Sequence, residues 1–263
     1  MIKQVFCKTI LSKSKLGTDY SINPYRGCAH ACVYCYTPYV LREKRKWGEF
    51  IEVKINAPEV LEKDLKKHKA GTIFISSVTD PYNPLEKKYK LTRRILEKLK
   101  NTKFSISIQT KSDLVLRDIE LLKEMDCEVG MTIITFNERA RKIFEPNTSS
   151  SEKRLKALKK LKESGIKTYI FFGPVLPLIS DENLEETIKK FASVKPDYIY
   201  IDKLNIKRSL HWKKIKNILE KNYPKLVEKW EKILFSENGY YQRIKERIIE
   251  ICMSYGLKYK FCY

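Results

Sequence analysis

Short apolar runs rich in β-branched residues alternate along the chain with stretches in which apolar residues recur every three or four positions among lysines. The first kind of run is typical of buried strands and the second of amphipathic helices. The predicted strands lie at 19–23, 71–77, 103–109, 128–135, 166–172 and 197–204, and the predicted helices at about 58–69, 91–100, 113–125, 151–164 and 182–193. Gly165 is suited to close one helix, and Ser180 and Asp181 are suited to begin the next. The pattern therefore predicts six strand–helix units in series.

Repeated strand–helix units with buried strands imply an α/β fold, a parallel sheet with helices on the outside. Six units rather than eight predict an open, partial (β/α)6 barrel over residues 1–206, although a doubly wound flat sheet would show the same pattern. From residue 207 to residue 263 the strands give way to helical, basic and aromatic sequence. No linker rich in Gly, Ser or Pro precedes this segment. We therefore expect a helical C-terminal extension packed on the barrel core.

Length and composition describe a globular chain with one sizeable core. The 263 residues are 43% hydrophobic and 32% charged, which excludes a disordered protein. The most apolar stretch, 169–179, is too short to cross a bilayer and is interrupted by Pro174 and Pro177. The N-terminal residues lack the apolar segment of a secretory signal. A cytoplasmic location without a membrane partner is expected.

The net charge is +21, from 53 Lys and Arg against 32 Asp and Glu. Such an excess favours a polyanionic partner, DNA or RNA. A surface rich in Lys and Glu, as in proteins from hot environments, gives the same composition. The C-terminal segment interleaves lysines with aromatic residues that suit either base stacking or packing on the barrel: His211, Trp212, Tyr223, Trp230, Tyr240 and Tyr241. Charge and composition leave both alternatives open.

Three of the seven cysteines, Cys28, Cys32 and Cys35, are spaced C-x3-C-x2-C directly after the first predicted strand. In a reducing compartment such a group favours a metal site over disulfides. A structural zinc ion needs four ligands, and His30 is the one nearby candidate for the fourth. A four-iron cluster with three thiolates keeps one iron open for a substrate or cofactor. The remaining four cysteines are scattered and are expected to be ordinary packing residues.

The stretch NPYRGCAHACVYCYTPY (23–39) resembles the cysteine signature of the radical S-adenosylmethionine (SAM) enzymes. This resemblance implies a partial (β/α)6 barrel and a [4Fe–4S] cluster bound by Cys28, Cys32 and Cys35. It also implies that SAM binds the open iron. Reductive cleavage of SAM would give a 5′-deoxyadenosyl radical, and a one-electron reductant of the ferredoxin or flavodoxin kind would be the partner.

Two further stretches resemble the spore photoproduct lyase-like branch of that superfamily: VTDPYNPLEKKYKLTRRIL (78–96), and FEPNTSSSEKRLKALKKLKESGI followed by FFGPVLPLISD (144–181). In that lyase a cysteine at the second strand donates the hydrogen that quenches the product radical. Here Ser77 lies at the corresponding strand end, and no cysteine occurs between Cys35 and Cys127. We therefore expect a substrate other than the spore photoproduct.

The resemblance also implies roles for residues at the strand ends, where barrel enzymes gather their active sites. Tyr34 and Tyr36 flank the third cysteine and are candidates to relay a hydrogen atom, with Tyr36 also beside SAM. Lys111 would pair with the SAM carboxylate and Thr132 would bond its amino-acid part. The remaining candidates for contact with cofactor or substrate are Ser77, Thr79, Asp80, Glu145, Arg154, Lys203 and Asn205.

The resulting prediction is a radical SAM enzyme whose substrate is a nucleic acid that it repairs or modifies. Two alternatives remain from the sequence. One is a basic, zinc-containing nucleic-acid-binding protein without catalysis, and the other is a radical SAM enzyme acting on a peptide or a small metabolite.

Overall fold

A computed structural model of the protein describes residues 1–263. The strands are β1 (Ile2–Val5), β2 (Leu11–Lys13), β3 (Tyr20–Ile22), β4 (Tyr25–Arg26), β5 (Ile51–Lys54), β6 (Thr72–Ile75), β7 (Ser105–Thr110), β8 (Cys127–Thr132), β9 (Lys167–Val175), β10 (Tyr198–Lys203) and β11 (Tyr259–Phe261). The helices are α1 (Thr37–Val40), α2 (Ala57–Leu65), α3 (Glu86–Tyr89), α4 (Leu91–Leu99), α5 (Ile119–Leu122), α6 (Glu138–Phe144), α7 (Ser151–Glu163), α8 (Leu184–Ser193), α9 (Ser209–Asn222), α10 (Val227–Phe235) and α11 (Tyr240–Ser254). Short 3-10 helices occupy Asp113–Asp118 and Pro224–Leu226.

The six predicted strands are confirmed as β3, β6, β7, β8, β9 and β10, which lie side by side in chain order and are all parallel. A doubly wound sheet would reverse its strand order partway, so the consecutive order excludes that alternative. The architecture is the partial barrel expected from the sequence. Because the strands are parallel, their carboxyl ends gather at one edge of the sheet, where functional groups collect in such folds.

The apolar residues of the parallel strands form the main core together with those of the helices. Ile106 and Ile108 on β7 and Val129 on β8 are fully buried and belong to a core of 35 buried residues. Helix α4 contributes Ile95, Leu96 and Leu99 to the same core. Helix α7 is also bounded locally: the side chain of Ser150 accepts a hydrogen bond from the Lys153 N–H at its start, as an N-cap residue does.

The N-terminal region contains strands that the sequence pattern did not reveal. Strand β2 pairs antiparallel with β3, and β1, β5 and β4 form a separate three-stranded sheet. These strands span only two to four residues each, too short to show an alternating pattern. The helix predicted at 113–125 is a 3-10 helix followed by the short α5.

The C-terminal segment packs on the barrel through α9, α10 and α11 and also contains a short strand that the sequence pattern did not reveal. Its last residues form β11, which lies parallel to β10 with Ile201 opposite Phe261. The open edge of β10 supplies unpaired backbone groups that a terminal segment can satisfy. No helix of the structure combines the length and apolar character needed to span a membrane.

Candidate active site at the carboxyl edge of the sheet

The loop that carries Cys28, Cys32 and Cys35 follows β4 and lies at the carboxyl edge of the sheet. Gly27 begins it with a φ of +87°, a conformation that side chains disfavour, and a Cβ there would lie 2.3 Å from the Phe50 carbonyl oxygen. The loop therefore requires glycine at its entry, because backbone of the neighbouring segment passes directly against it. This close packing fixes the position at which the loop with the three thiols begins.

The thiols are shielded from water and lie among cations. Cys28 and Cys32 are buried and Cys35 is half-buried. Burial raises the pKa of Cys32 well above its usual range, and the nearby ammonium of Lys111 acts in the opposite direction. Lys214, from α9, donates to the Cys32 carbonyl oxygen at 3.5 Å. Positive charge near the thiols lowers the free energy of their ionised, metal-binding form.

This donor set fits an iron–sulfur cluster. Cys28, Cys32 and Cys35 are free thiols on one loop, and cysteine thiolates are the ligands that iron–sulfur clusters take. In a four-iron cluster each thiolate binds a separate iron, so its ligands surround a larger body than one ion. Lys111 and Lys214 would balance the negative charge that such a cluster and its thiolates carry.

His30 and Asp80 fasten the cysteine loop to the ends of β6 and β7. The His30 Nδ1 lies 3.3 Å from an Asp80 carboxylate oxygen, within ion-pair distance but outside hydrogen-bond geometry. Asp80 also accepts hydrogen bonds from the Thr110 hydroxyl at 2.7 Å and the Lys111 N–H at 2.9 Å. Burial lowers the pKa of His30, but Asp80 and the thiol of Cys28 outweigh it and raise that pKa to about 9. His30, considered from the sequence as a fourth zinc ligand, thus has a carboxylate as its neighbour.

Tyr34, Glu145 and Arg154 form a fully buried network under the cysteine loop. The Tyr34 hydroxyl donates to one carboxylate oxygen of Glu145, and the Arg154 guanidinium donates to the other at 2.6 Å. Both members of the ion pair have fully buried side chains. Burial acts to raise the pKa of Glu145, but Arg154 and Lys111 outweigh it and hold that pKa below its usual range.

Arg154 also joins several segments that are distant in sequence. Its guanidinium donates to the carbonyl oxygens of Thr132 at 2.7 Å and Ser149 at 2.8 Å, and to the Thr148 hydroxyl at 2.6 Å. Arg154 therefore ties the end of β8 to the start of α7 and, through Glu145, to the cysteine loop. Its place at a helix start, which gives a cation no benefit from the helix dipole, is explained by these bonds.

The remaining predicted residues divide between the interior of the site and its open rim. The Lys111 ammonium lies 6.0 Å from the centre of the Tyr34 ring. Burial lowers its pKa, but Cys32, Glu145 and Asp80 outweigh burial and raise it. Tyr36 is 38% exposed, and its hydroxyl donates to the Ser77 carbonyl oxygen at 3.3 Å. The buried Thr132 hydroxyl accepts a hydrogen bond from Gln109 at 3.2 Å.

Three further predicted residues, Thr79, Lys203 and Asn205, lie at the ends of the neighbouring strands or just beyond them. The Thr79 hydroxyl donates to the Gly27 carbonyl oxygen at 2.7 Å and so braces the entry of the cysteine loop. Lys203 ends β10, and Asn205 is exposed beyond it. The strand ends therefore bring together Cys28, Cys32, Cys35, Tyr34, Asp80, Lys111, Glu145 and Arg154, with Tyr36 and Ser77 at the rim.

Two residues of α9 that contact the loop were missed as site residues from the sequence. One is Lys214, and the other is the fully buried His211, whose Nε2 lies 3.0 Å from the Tyr34 carbonyl oxygen and whose ring stacks on Tyr39 at 4.5 Å. In the sequence both belong to HWKKIK, which reads as an amphipathic helix. Contacts spanning 177 and 182 positions carry no local signal.

Most aromatic residues of the C-terminal segment pack on the barrel. Trp230 is fully buried and stacks on Phe144 at 6.1 Å with an interplanar angle of 9°. Tyr240 donates to an Asp181 carboxylate oxygen at 2.6 Å, and Tyr241 donates to the Val175 carbonyl oxygen at 3.1 Å. Of the two roles considered for these residues, the geometry gives these three the packing role.

The chain is similar to known proteins in family, in sequence and in fold. The family model described as "Radical SAM superfamily" matches residues 22–191. An uncharacterized protein of Methanocaldococcus jannaschii is 41% identical over 232 residues, covering 86% of this chain and 85% of the relative. The radical SAM Nalpha-GlyT isomerase of Pseudomonas phage M6 is 25% identical over 182 residues, covering 68% of this chain and 38% of the isomerase.

Among solved structures, spore photoproduct lyase complexed with dinucleoside spore photoproduct superposes with a TM-score of 0.73 at 16% identity, covering 100% of this chain and 82% of the lyase. At this identity the likeness shows a shared fold. Membership of the family implies SAM and an iron–sulfur cluster as cofactors. It also means that the chain is an enzyme and not a non-catalytic zinc protein. The family model, the 41% identical relative and the partial barrel together show that the chain belongs to the radical SAM superfamily.

Proposed function

We propose that this protein cleaves SAM reductively at a [4Fe–4S] cluster held by Cys28, Cys32 and Cys35, and uses the product radical to modify or repair a nucleic acid. The observation that carries the proposal is the single buried loop that presents three thiols at the carboxyl edge of the barrel beside the Lys111 and Lys214 ammonium groups. When bound, the cluster supplies one electron to the SAM sulfonium, which gives methionine and a 5′-deoxyadenosyl radical that abstracts hydrogen.

The side chains of this site bind, orient and exclude water. We assign Lys111 to the SAM carboxylate, because its half-buried side chain lies near Cys32 and a hydrogen bond between an ammonium and a carboxylate is stronger than a neutral one. Glu145 and Arg154 are fully buried, so we assign them the positioning of Tyr34 and of the cysteine loop. Tyr36 and Ser77, at the exposed rim, are assigned to the side from which substrate approaches.

The buried Thr132 completes the site. Its hydroxyl is held by Gln109, which orients the oxygen that we assign to the amino-acid part of SAM. Tyr34 and Tyr36 stay candidates for hydrogen-atom transfer because they flank Cys35 in the sequence. A ferredoxin- or flavodoxin-like protein in the cytoplasm is proposed as the electron donor.

Two findings support a nucleic acid as substrate. The net charge of +21 suits a polyanion. The fold matches a lyase solved with a dinucleoside spore photoproduct. Ser77 occupies the strand end at which that lyase is expected to carry a hydrogen-donating cysteine, so the proposed reaction is not spore photoproduct repair.

The test is anaerobic reconstitution with iron and sulfide, followed by reduction in the presence of SAM. We expect about four irons per chain, as a four-iron cluster requires, and release of 5′-deoxyadenosine. Cys32→Ala should bind less iron and release no 5′-deoxyadenosine. Cys127→Ala is the matched control, because that half-buried thiol lies away from the site and donates to the Leu122 carbonyl oxygen. Equal release of 5′-deoxyadenosine by both variants would refute the ligand assignment.

The substrate class is tested separately by measuring DNA and RNA binding against salt concentration. Binding through phosphates should weaken steeply as salt rises, because bound counterions are released. No binding at low salt would remove nucleic acid and leave a peptide or a small metabolite as the substrate.

A further inference from the structure

A cleft of about 710 Å³ opens between the end of β10 and the helices α9 and α10. It begins at Lys203, the last residue of β10, and so lies at the same edge of the sheet as the cysteine loop. Helix α9 forms one wall of the cleft through Trp212 and contacts the loop through His211 and Lys214. The cleft therefore adjoins the candidate active site but is built by the C-terminal segment.

The charge of the cleft is one-sided. Lys203, Lys207 and Arg208 line it, whereas no Asp or Glu does. None of these three side chains takes part in an ion pair with the rest of the protein. Asp202 is the nearby carboxylate whose charge reaches Lys203 and Lys207, and burial raises its pKa. The Lys203 ammonium lies 5.1 Å from the centre of the Tyr263 ring, whereas Lys207 and Arg208 are exposed and leave the cleft complementary to an anion.

The apolar wall of the cleft contains aromatic rings that the fold leaves accessible. Trp212 and Phe235 meet edge to face, with ring centres 5.4 Å apart and an interplanar angle of 74°. Phe235 is 57% exposed, in contrast to the buried Trp230 on the same helix. A large exposed aromatic side chain beside unpaired cations is an arrangement suited to a stacked base and its phosphates.

We propose that this cleft binds a single-stranded segment of the nucleic-acid substrate next to the reacting nucleotide. A base would stack against Phe235 and Trp212, and the adjoining phosphates would contact Lys207 and Arg208. This inference rests on the proposed function, since it takes a nucleic acid as the substrate. The cleft holds the flanking strand while the target nucleotide occupies the barrel opening.

The test measures binding of a mixed-sequence, labelled single-stranded DNA oligonucleotide to the reconstituted protein by fluorescence anisotropy over a series of salt concentrations. Lys207→Ala/Arg208→Ala should reduce the slope of log affinity against log salt by about 1.4, because each phosphate contact on a single strand contributes about 0.7. Phe235→Ala should weaken binding by about 5- to 100-fold, as loss of one stacked base does.

Matched controls separate the cleft from general surface effects. Lys66→Ala/Lys67→Ala removes the same charge from two exposed lysines just beyond α2, at the opposite edge of the sheet. Phe6→Ala removes an aromatic ring that is 78% exposed. Both controls should bind as the wild type does. Thermal unfolding and iron content verify that every variant is folded.

The outcomes distinguish this inference from the proposed function. Weaker binding by the two cleft variants but not by the controls supports the cleft as the strand-binding site. If the wild type binds DNA and the cleft variants match the controls in affinity and salt slope, the cleft proposal is overturned while the nucleic-acid substrate stands. If the wild type binds neither DNA nor the equivalent RNA at low salt, the substrate class and the cleft proposal fall together.

Discussion

Replacement of Arg154 by methionine should destabilise the protein strongly, because Arg154 pairs with a fully buried carboxylate. The guanidinium donates to Glu145, to the carbonyl oxygens of Thr132 and Ser149 and to the Thr148 hydroxyl. Methionine fills much of the same volume but leaves the Glu145 carboxylate buried without a cationic partner at ion-pair distance. Breaking a buried ion pair in this way costs about 3–5 kcal/mol, against a total stability of roughly 5–15 kcal/mol.

The pH dependence of this loss identifies its cause. In the wild type the pKa of Glu145 is held low, so the stabilisation it provides is present above the usual glutamate pKa of about 4.3 and is lost as pH falls through the lowered value. In Arg154→Met the unpaired carboxylate should have a raised pKa and become protonated as the pH falls. Both effects bring the unfolding free energies of wild type and variant closer together at low pH. The difference in unfolding free energy between variant and wild type should therefore shrink as the pH falls from about 7 toward 4.

The assay is anaerobic urea unfolding followed by circular dichroism, with the midpoint compared at an unchanged slope. Arg141→Met is the control, because Arg141 is also buried but pairs with the half-exposed Glu138 at 2.8 Å. Replacement of Arg141 leaves no buried carboxylate unpaired. It should therefore lower the free energy of unfolding by less, and this loss should not show a comparable dependence on pH. A loss below about 1 kcal/mol for Arg154→Met, or a loss independent of pH, would show that Glu145 is not held as an ionised partner.

Three further predictions concern other parts of the structure. Lys111→Met should weaken SAM binding by about 10-fold or more, because it removes a charged hydrogen bond. Equilibrium dialysis measures this change, with the exposed Lys103→Met as the control. Equal affinity of the two variants for SAM would contradict the role of Lys111. Trp230→Ala should lower the unfolding free energy by about 3–5 kcal/mol because it opens a cavity beside Phe144; a urea midpoint close to that of the wild type would show that α10 packs loosely. Asp197 accepts hydrogen bonds from a strand N–H and a lysine at 2.8 and 2.7 Å, and its pKa is lowered. Asp197→Asn should thus lower the free energy of unfolding by about 1 kcal/mol near neutral pH. The difference from the wild type should vanish as pH falls below about 4. A difference that does not change with pH would show that the charge of Asp197 does not stabilise the fold.

The barrel could be predicted because its signals are local. Each strand, such as β7, is a short run rich in β-branched residues, and each helix, such as α4, carries apolar residues three or four positions apart. The order of these elements then limits the fold to a parallel sheet with outer helices. The short β1, β2, β4 and β5 carry no such signal because two to four residues cannot display a period.

The candidate site divides in the same way. Cys28, Cys32 and Cys35 belong to one short motif, and Lys111 is found by its place after a strand, so both were available from the sequence. The pairing of Glu145 with Tyr34 spans 111 positions, and that of His211 with the Tyr34 carbonyl spans 177. A contact between residues so far apart in the sequence depends on how the helices and strands pack, and no local sequence pattern predicts it.

The sequence by itself determined that this chain forms a six-unit partial barrel with three thiols after its first strand, because periodicity and motif spacing act over a few residues. Only the tertiary structure decided that Glu145 and Arg154 lie beneath the cysteine loop rather than at its surface. It also decided that β11 closes the edge of the sheet and that Phe235 stands exposed beside three unpaired cations. Burial and charge pairing depend on which segments meet, and that is fixed only when the whole chain has packed.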